Sequence, residues 1–177
     1  MLIRPERPSD VDTIRAVTAA AFAGAPYAAP AVEPDGVPGE ATLVTWLRAD
    51  PAWIPGLSLV AEDYGALVGH VVCTRGDLGG TPALGLGPLS VLPERQGTGV
   101  GAALVRAVLT AAAERGEDTV VLLGEPAYYQ RFGFVPAADE GVEPPVAEWG
   151  PYFQVLRLAP DGPRGSFAYA APFDRLG

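Results

Sequence analysis

The chain has 177 residues, 49% of them hydrophobic, which is enough for one packed core and too apolar for a disordered tail. Its formal net charge is −9, its 12 basic residues are all arginine, and lysine is absent; this excludes a Walker-type phosphate loop and a lysine Schiff base, and argues against a nucleic-acid partner. One cysteine, Cys73, and one histidine, His70, exclude an internal disulfide framework and a multi-histidine metal site, so no metal is expected.

No apolar run approaches the roughly 20 residues of a membrane span. The opening MLIRPERPSD is too charged for a secretory signal, so a cytoplasmic chain with no membrane partner is expected. Residues 2–4 are a short apolar start. Pro8-Ser9-Asp10 signals a helix start, and Ile14, Val17, Thr18 and Ala21 follow at helical spacing. Residues 22–38, rich in proline and glycine, read as a loop. Residues 40–49 read as a helix with Leu43, Val44 and Leu47 on one face. Residues 57–62 and 66–75 flank Asp63-Tyr64-Gly65 as a hairpin, and 84–92 is a third strand. A helix then presents Val100, Leu104, Val105, Val108 and Ala112 on one face and stops at Glu114-Arg115-Gly116. Residues 119–123 suit a buried parallel strand. Pro126 opens a short helix to Phe132, 153–158 is a strong late strand, and 167–169 is strand-like. The order implies a mixed α/β (α+β) fold in one domain spanning 1–177.

Three glycines, Gly97, Gly99 and Gly101, stand at alternate positions where a helix begins. One reading is a tight turn and nothing more. A second is a dinucleotide fingerprint, which Gly97-x-Gly99-x-x-Ala102 satisfies literally. That motif belongs directly after a strand in an early βαβ unit, whereas here Pro93-Glu94-Arg95-Gln96 intervenes past mid-chain. The third is a pyrophosphate cradle, in which backbone N–H groups at a helix N-terminus grip the anion and glycines let it approach. Only the third explains how an acidic protein without lysine would hold a polyanion.

Gln96-Gly-Thr-Gly99-Val-Gly101 resembles the Gln/Arg-x-x-Gly-x-Gly/Ala signature of the GNAT superfamily of N-acetyltransferases. Leu89-Ser-Val91-Leu-Pro resembles that family's central strand. Gly124-Glu-Pro-Ala-Tyr-Tyr-Gln-Arg-Phe-Gly133-Phe resembles its tyrosine-bearing late helix before a Gly-Phe pair. The paired tyrosines and the Gly-Pro-Leu-Ser-Val lead-in resemble its YhbS-like branch. The resemblance spans about 84–136, and implies a central mixed, partly splayed sheet flanked by helices and acetyl-CoA as co-substrate. It implies Gln96, Gly97, Thr98, Gly99, Val100 and Gly101 at the pyrophosphate, and the backbone of Leu89, Ser90 and Val91 along the pantetheine and thioester. Tyr129, four residues before Gly-Phe, is implied as general acid, with Tyr128 the alternative.

The acceptor amine must be neutral to attack, and a lysine-like amine with a pKa of about 10.4 is almost wholly charged at neutral pH. Glu33, Asp35 and Glu40, in or next to the loop after the first helix, and Glu125 are the base candidates. His70 alternates with Val68 and Val72 on a strand face and reads as a hydrogen-bonded sheet histidine; Cys73 reads as core. Trp46, Trp53 and Trp149 either wall an acceptor pocket or fill core. A small-molecule or peptide amine is the expected acceptor, a homodimer through the last strand and tail is open, and a non-catalytic acyl-CoA-binding module and an NAD(P)-dependent oxidoreductase are the rival functions.

Overall fold

The computed structural model describes residues 1–176. β1 (Leu2–Pro5) pairs antiparallel with β2 (Trp53–Asp63), β2 with β3 (Ala66–Leu78), and β3 with β4 (Thr81–Val91). Tyr64 and Gly65, both at positive φ, make the two-residue β2–β3 turn that the right-handed twist of paired strands favours. Gly79 and Gly80 turn β3 into β4 in the same way, so both strands run longer than the hydrophobic pattern implied. α3 (Val100–Glu114) then crosses back, and β5 (Thr119–Leu123) lies parallel to β4. β8 (Phe153–Arg157) adds antiparallel to β5, and the two-residue β6 (Val135–Pro136) to β8. The sheet is therefore mixed and mostly antiparallel, with strand order β1-β2-β3-β4-β5-β8-β6.

The two faces of the sheet bury different partners. Val100, Leu104, Val105, Val108 and Ala112 of α3 are buried against Leu59, Val71, Cys73, Leu84, Val120 and Leu122. The helical spacing expected from the sequence placed this stripe correctly, because one apolar face of a helix has only one way to leave water. On the other face lie α1 (Val11–Phe22) and α2 (Gly39–Arg48), with Ile14 and Val44 packed on Val60. Beyond them the late chain folds back. β9 (Gly165–Ala168) pairs with β3 and with β7 (Val142–Glu143), and Phe167, Phe153 and Val121 share a second core. Ala170, Phe173 and Leu176 then cover Leu43 and Leu47 of α2. The last strand and tail, which the sequence left open for a dimer, are thus engaged within the chain. No helix among the described residues is long and apolar enough to cross a membrane.

A buried polar chain crosses the second face. Arg48 donates to both Glu6 carboxylate oxygens at 2.8 and 3.1 Å, and Ser58 Oγ also donates to Glu6. Because that hydroxyl has given its proton to a carboxylate, its 2.8 Å contact with His70 Nε2 requires the histidine to donate. His70 is therefore the Nε2–H tautomer, and burial holds its pKa below the ordinary histidine value. The sheet-face reading of His70 stands, with Ser58 as its partner.

Candidate functional site

The site begins where β4 and β5 part. They pair only at Leu84↔Val120 and Gly85↔Val121, and residues 86–91 of β4 continue with no ladder partner on that side. The register with β3 shows why: Val71 faces Leu89 but Cys73 faces Leu86, so β4 holds one extra residue there. A bulge of this kind bends its strand and breaks the ladder. The result is an open cleft between a free β4 edge and the end of β5, lined below by α3. It is the partly splayed sheet that the resemblance implied. The parallel β4–α3–β5 unit is flanked by antiparallel strands, so the alternating parallel architecture of a dinucleotide-binding fold is not present.

At the mouth of this cleft lies the glycine loop. Residues 96–99 are exposed, and Gly97 and Gly99 sit at φ 72° and 94°, where an L side chain is strained. A Cβ at either position would meet no atom within 4 Å, so the space in front of the loop is open. Side chains build the loop instead of filling it. Gln96 Nε2 donates to the Val91 carbonyl at 3.1 Å, Thr98 Oγ1 donates to the Arg95 carbonyl, and Arg95 is anchored on Asp63 at 2.8 Å. Gly99 caps α3 without a side-chain bond, and no acidic residue lies in the first turn. The first main-chain bond back into the helix is Ala103 N–H to the Gly99 carbonyl. The N–H groups of residues 100–102 are thus free of helical partners, at the positive end of a 15-residue dipole. This arrangement fits a diphosphate. Val100 differs from its loop neighbours, since its side chain is buried and only its amide is available.

The candidates on β4 divide by face. Leu89 and Val91 point toward the first turn of α3, 3.9 and 3.6 Å from where a Gly101 Cβ would stand. Ser90 points the other way, is fully buried, and donates to Thr18 Oγ1 at 3.3 Å. Ser90 pairs with His70 in the β3 ladder, so neither its side chain nor its N–H reaches the cleft, and Leu89 and Val91 alone present backbone groups there.

The paired tyrosines are separated by the turn between adjacent helical positions. Both lie on α4 (Pro126–Tyr129), with ring centroids 4.9 Å apart and edge to face. Tyr128 is half-buried, and its hydroxyl ends 3.0 Å from the Gly101 Cβ position, beside the amide loop. Tyr129 lies deeper. Its ring covers Gly124 at the end of β5 and packs on Phe134, 6.0 Å between centroids. Burial, then the neighbouring Tyr128 and Tyr27 hydroxyls, push the Tyr129 phenol well above its ordinary value. Gly124 opens the segment that resembles the family's late helix, but the reason for a glycine there, contact with a ring five residues on, is visible only in the structure. A methyl at Gly124 would overlap Tyr129 Cε2. Gly124→Ala is therefore expected to cost about 1–3 kcal/mol in urea unfolding, as overpacked cores do.

The acidic candidates are not equivalent. Glu33 and Asp35 both accept from Arg15 Nη2, at 2.9 and 2.6 Å, in an exposed cluster. The Arg15 guanidinium holds the Asp35 carboxyl below the usual aspartate value. Glu125 is exposed at the start of α4 and makes no capping bond. Glu40, in the first turn of α2, accepts the Ala29 N–H through Oε1 at 2.7 Å, while its Oε2 is buried without a partner. The tryptophans are engaged in packing: Trp149 on Phe153 and Tyr169, Trp53 under Arg48, and Trp46 under Arg175. Cys73 is buried in the core, and desolvation raises its thiol far above the ordinary range. No group of three or more His, Cys, Asp or Glu among the described residues could hold a metal.

Comparison with known proteins bears on the same stretch. Residues 55–136 match the family model described as an acetyltransferase (GNAT) domain. The chain is 35% identical over 181 residues to the uncharacterized N-acetyltransferase YhbS of Escherichia coli K12, covering 99% of this chain and 100% of that one. Among solved structures, it is similar to a GNAT family acetyltransferase from Brucella melitensis in complex with acetyl-CoA. That match has 40% identity, a TM-score of 0.78, and covers 98% of this chain and 97% of the other. It is also similar to E. coli YhbS in complex with CoA, at 36% identity and a TM-score of 0.83 over 99% and 93% of the two chains. Sequence identity at this level over full length, together with the shared fold and the cleft geometry, places this chain in the GNAT family of N-acetyltransferases.

Proposed function

We propose that the protein moves an acetyl group from acetyl-CoA directly to a primary amine of a small-molecule or peptide acceptor. The observation that carries this reading is the open amide loop at the start of α3 beside the unpaired edge of β4. Neutral backbone donors suit a diphosphate in a chain of net charge −9. Gly97, Thr98, Gly99, Val100 and Gly101 would supply those donors, with Gln96 tying the loop to β4. Acetyl-CoA, when bound, supplies an acyl carbon already activated as a thioester, so no covalent step on the protein is required.

Three groups of this chain do the remaining work. Backbone N–H groups of Leu89 and Val91, which alternate out of the β3 ladder onto the free edge of β4, serve the developing carbonyl charge, a kind of contact worth about 3 kcal/mol. Tyr129 donates its hydroxyl proton to sulfur as the carbon–sulfur bond breaks. Glu40 takes the proton lost by the amine as its nitrogen bonds the carbonyl carbon, and exchange with solvent restores both residues. The buried, unpartnered Oε2 favours Glu40 over Glu33 and Asp35, whose oxygens are committed to Arg15.

The reading is tested by calorimetry with CoA and NAD and by thiol release from acetyl-CoA across an amine panel. CoA binding with turnover supports it. Tight CoA binding with no turnover on any amine would leave a non-catalytic acyl-CoA module, and NAD binding in place of CoA would leave an oxidoreductase. Gly99→Val is expected to weaken CoA at least tenfold, since it strains the loop and fills the open space, while the unliganded melting temperature shifts by only a few degrees.

A further inference from the structure

Arg106 of α3 and Arg131, which follows α4, share one surface beside the amide loop. Arg106 lies over Phe132 at 5.3 Å and Arg131 over Tyr128 at 4.5 Å. Those two rings are 5.5 Å apart, and the Tyr128 hydroxyl reaches the first turn of α3. A continuous strip therefore runs from the loop amides across Tyr128 to two guanidinium groups. Neither makes an ion pair among the described residues; Arg4, Arg15, Arg48, Arg75, Arg95 and Arg157 pair with acids, while Arg7, Arg115, Arg164 and Arg175 also have no ion pair but do not share this surface with the loop. In a chain with 21 acidic residues against 12 basic ones, carboxylates are in excess, yet among the described residues none pairs with either guanidinium. The two arginines are held in place by other means. Arg131 Nε donates to the Tyr128 carbonyl at 2.8 Å, leaving both terminal nitrogens as donors, and the aromatic faces orient both planes. Both side chains are exposed.

We propose that Arg106 and Arg131 form a second anion subsite that takes the 3′-phosphomonoester of coenzyme A. This rests on the CoA reading of the loop and adds the group that reads the far end of the ligand. A diphosphate bridge spreads its charge over a stretch that amides can line. A phosphomonoester concentrates about −1.5 to −2 charges on three terminal oxygens, and guanidinium forks match that geometry. The two subsites thus divide one ligand between neutral and charged donors, and the second separates CoA from nucleotides without that phosphate.

The test is isothermal titration of the full chain with CoA and with 3′-dephospho-CoA. The wild type is expected to bind CoA at least tenfold more tightly. Arg106→Gln and Arg131→Gln are each expected to lose roughly tenfold in CoA affinity, as for a charge-assisted bond, and little for dephospho-CoA. The double variant is then expected to bind the two ligands about equally, and Arg131→Lys to recover part of the preference. Equal wild-type affinity for both ligands would overturn the subsite while leaving the CoA reading intact. So would variants that weaken both ligands alike, since that marks the arginines as packing for the rings. Loss of both ligands in the wild type would remove the CoA reading itself, and this subsite with it.

Discussion

Tyr129→Phe is expected to lower kcat by roughly a hundredfold or more, the usual worth of a positioned general acid, with the KM for acetyl-CoA nearly unchanged. Tyr128→Phe is expected to do the reverse: its hydroxyl sits at the first turn of α3, so the loss should fall on CoA binding with kcat largely kept. The two variants differ from wild type by one oxygen each on adjacent residues, which makes the contrast a sharp one. Removing the Tyr129 hydroxyl leaves the ring on Gly124 and Phe134, so the fold is retained. The pH profile gives an independent check. Burial raises the Tyr129 phenol, so the donating form persists below the ordinary tyrosine value of about 10, and no alkaline limb below that comes from this residue. A raised value also makes the phenol a weaker acid, so proton delivery must accompany carbon–sulfur cleavage rather than precede it. Steady-state kinetics with the best acceptor found, on both variants and across pH, decides the matter. Equal kcat in wild type and Tyr129→Phe would remove the residue from the mechanism. Glu40→Gln should then reduce kcat most at lower pH, where the acceptor amine is most fully charged and most needs a base.

A large, pH-dependent stability effect is expected at Glu6. Burial alone would raise its carboxyl, but the nearby His70 imidazole and the hydrogen bonds from Arg48 and Ser58 outweigh that and hold it at about 2, against an ordinary 4.5. A depressed carboxyl contributes stability above its unfolded value and loses it as pH falls. The contribution is therefore complete above about pH 5 and disappears between about pH 4.5 and 2. Each tenfold change in proton affinity is worth about 1.4 kcal/mol, and solvent contact at Glu6 and Arg48 brings the total to about 2 kcal/mol. Glu6→Gln should cost about that much at pH 7 and should flatten the acid limb of a urea-unfolding series. His70 adds to the same slope from a higher pH. It is buried and neutral, so the unfolded chain gains a proton near pH 6.5 that the folded chain refuses, and stability falls as pH drops below that value. Identical acid limbs for wild type and Glu6→Gln would show that the Glu6–Arg48 pair is not a determinant of acid stability. A domain of this size is stable by only about 5–15 kcal/mol, so a loss of this order is readily measured.

Much of this protein could be read along the chain itself, because the physics involved is local. The buried stripe of α3 follows from helical periodicity, the β2–β3 turn from a glycine between alternating strands, and the anion loop from glycines at a helix start. Each depends on neighbours within a few residues. Tertiary structure decided the rest. The cleft exists because one extra residue in β4 breaks its ladder with β5 after two pairs, and register between distant strands leaves no mark on composition. The different positions of Tyr128 and Tyr129 depend on Gly101 and Gly124, which lie on other elements. Among the acids, Glu33 and Asp35 were separated from Glu40 by which of them Arg15 reached, and Arg106 and Arg131 were singled out by rings that hold both beside the loop without an ion pair among the described residues. Residue type and spacing carry the backbone chemistry of this site. Which side chains are free to act there depends on contacts between segments far apart in the chain, and those form only when the sheet closes over its two cores.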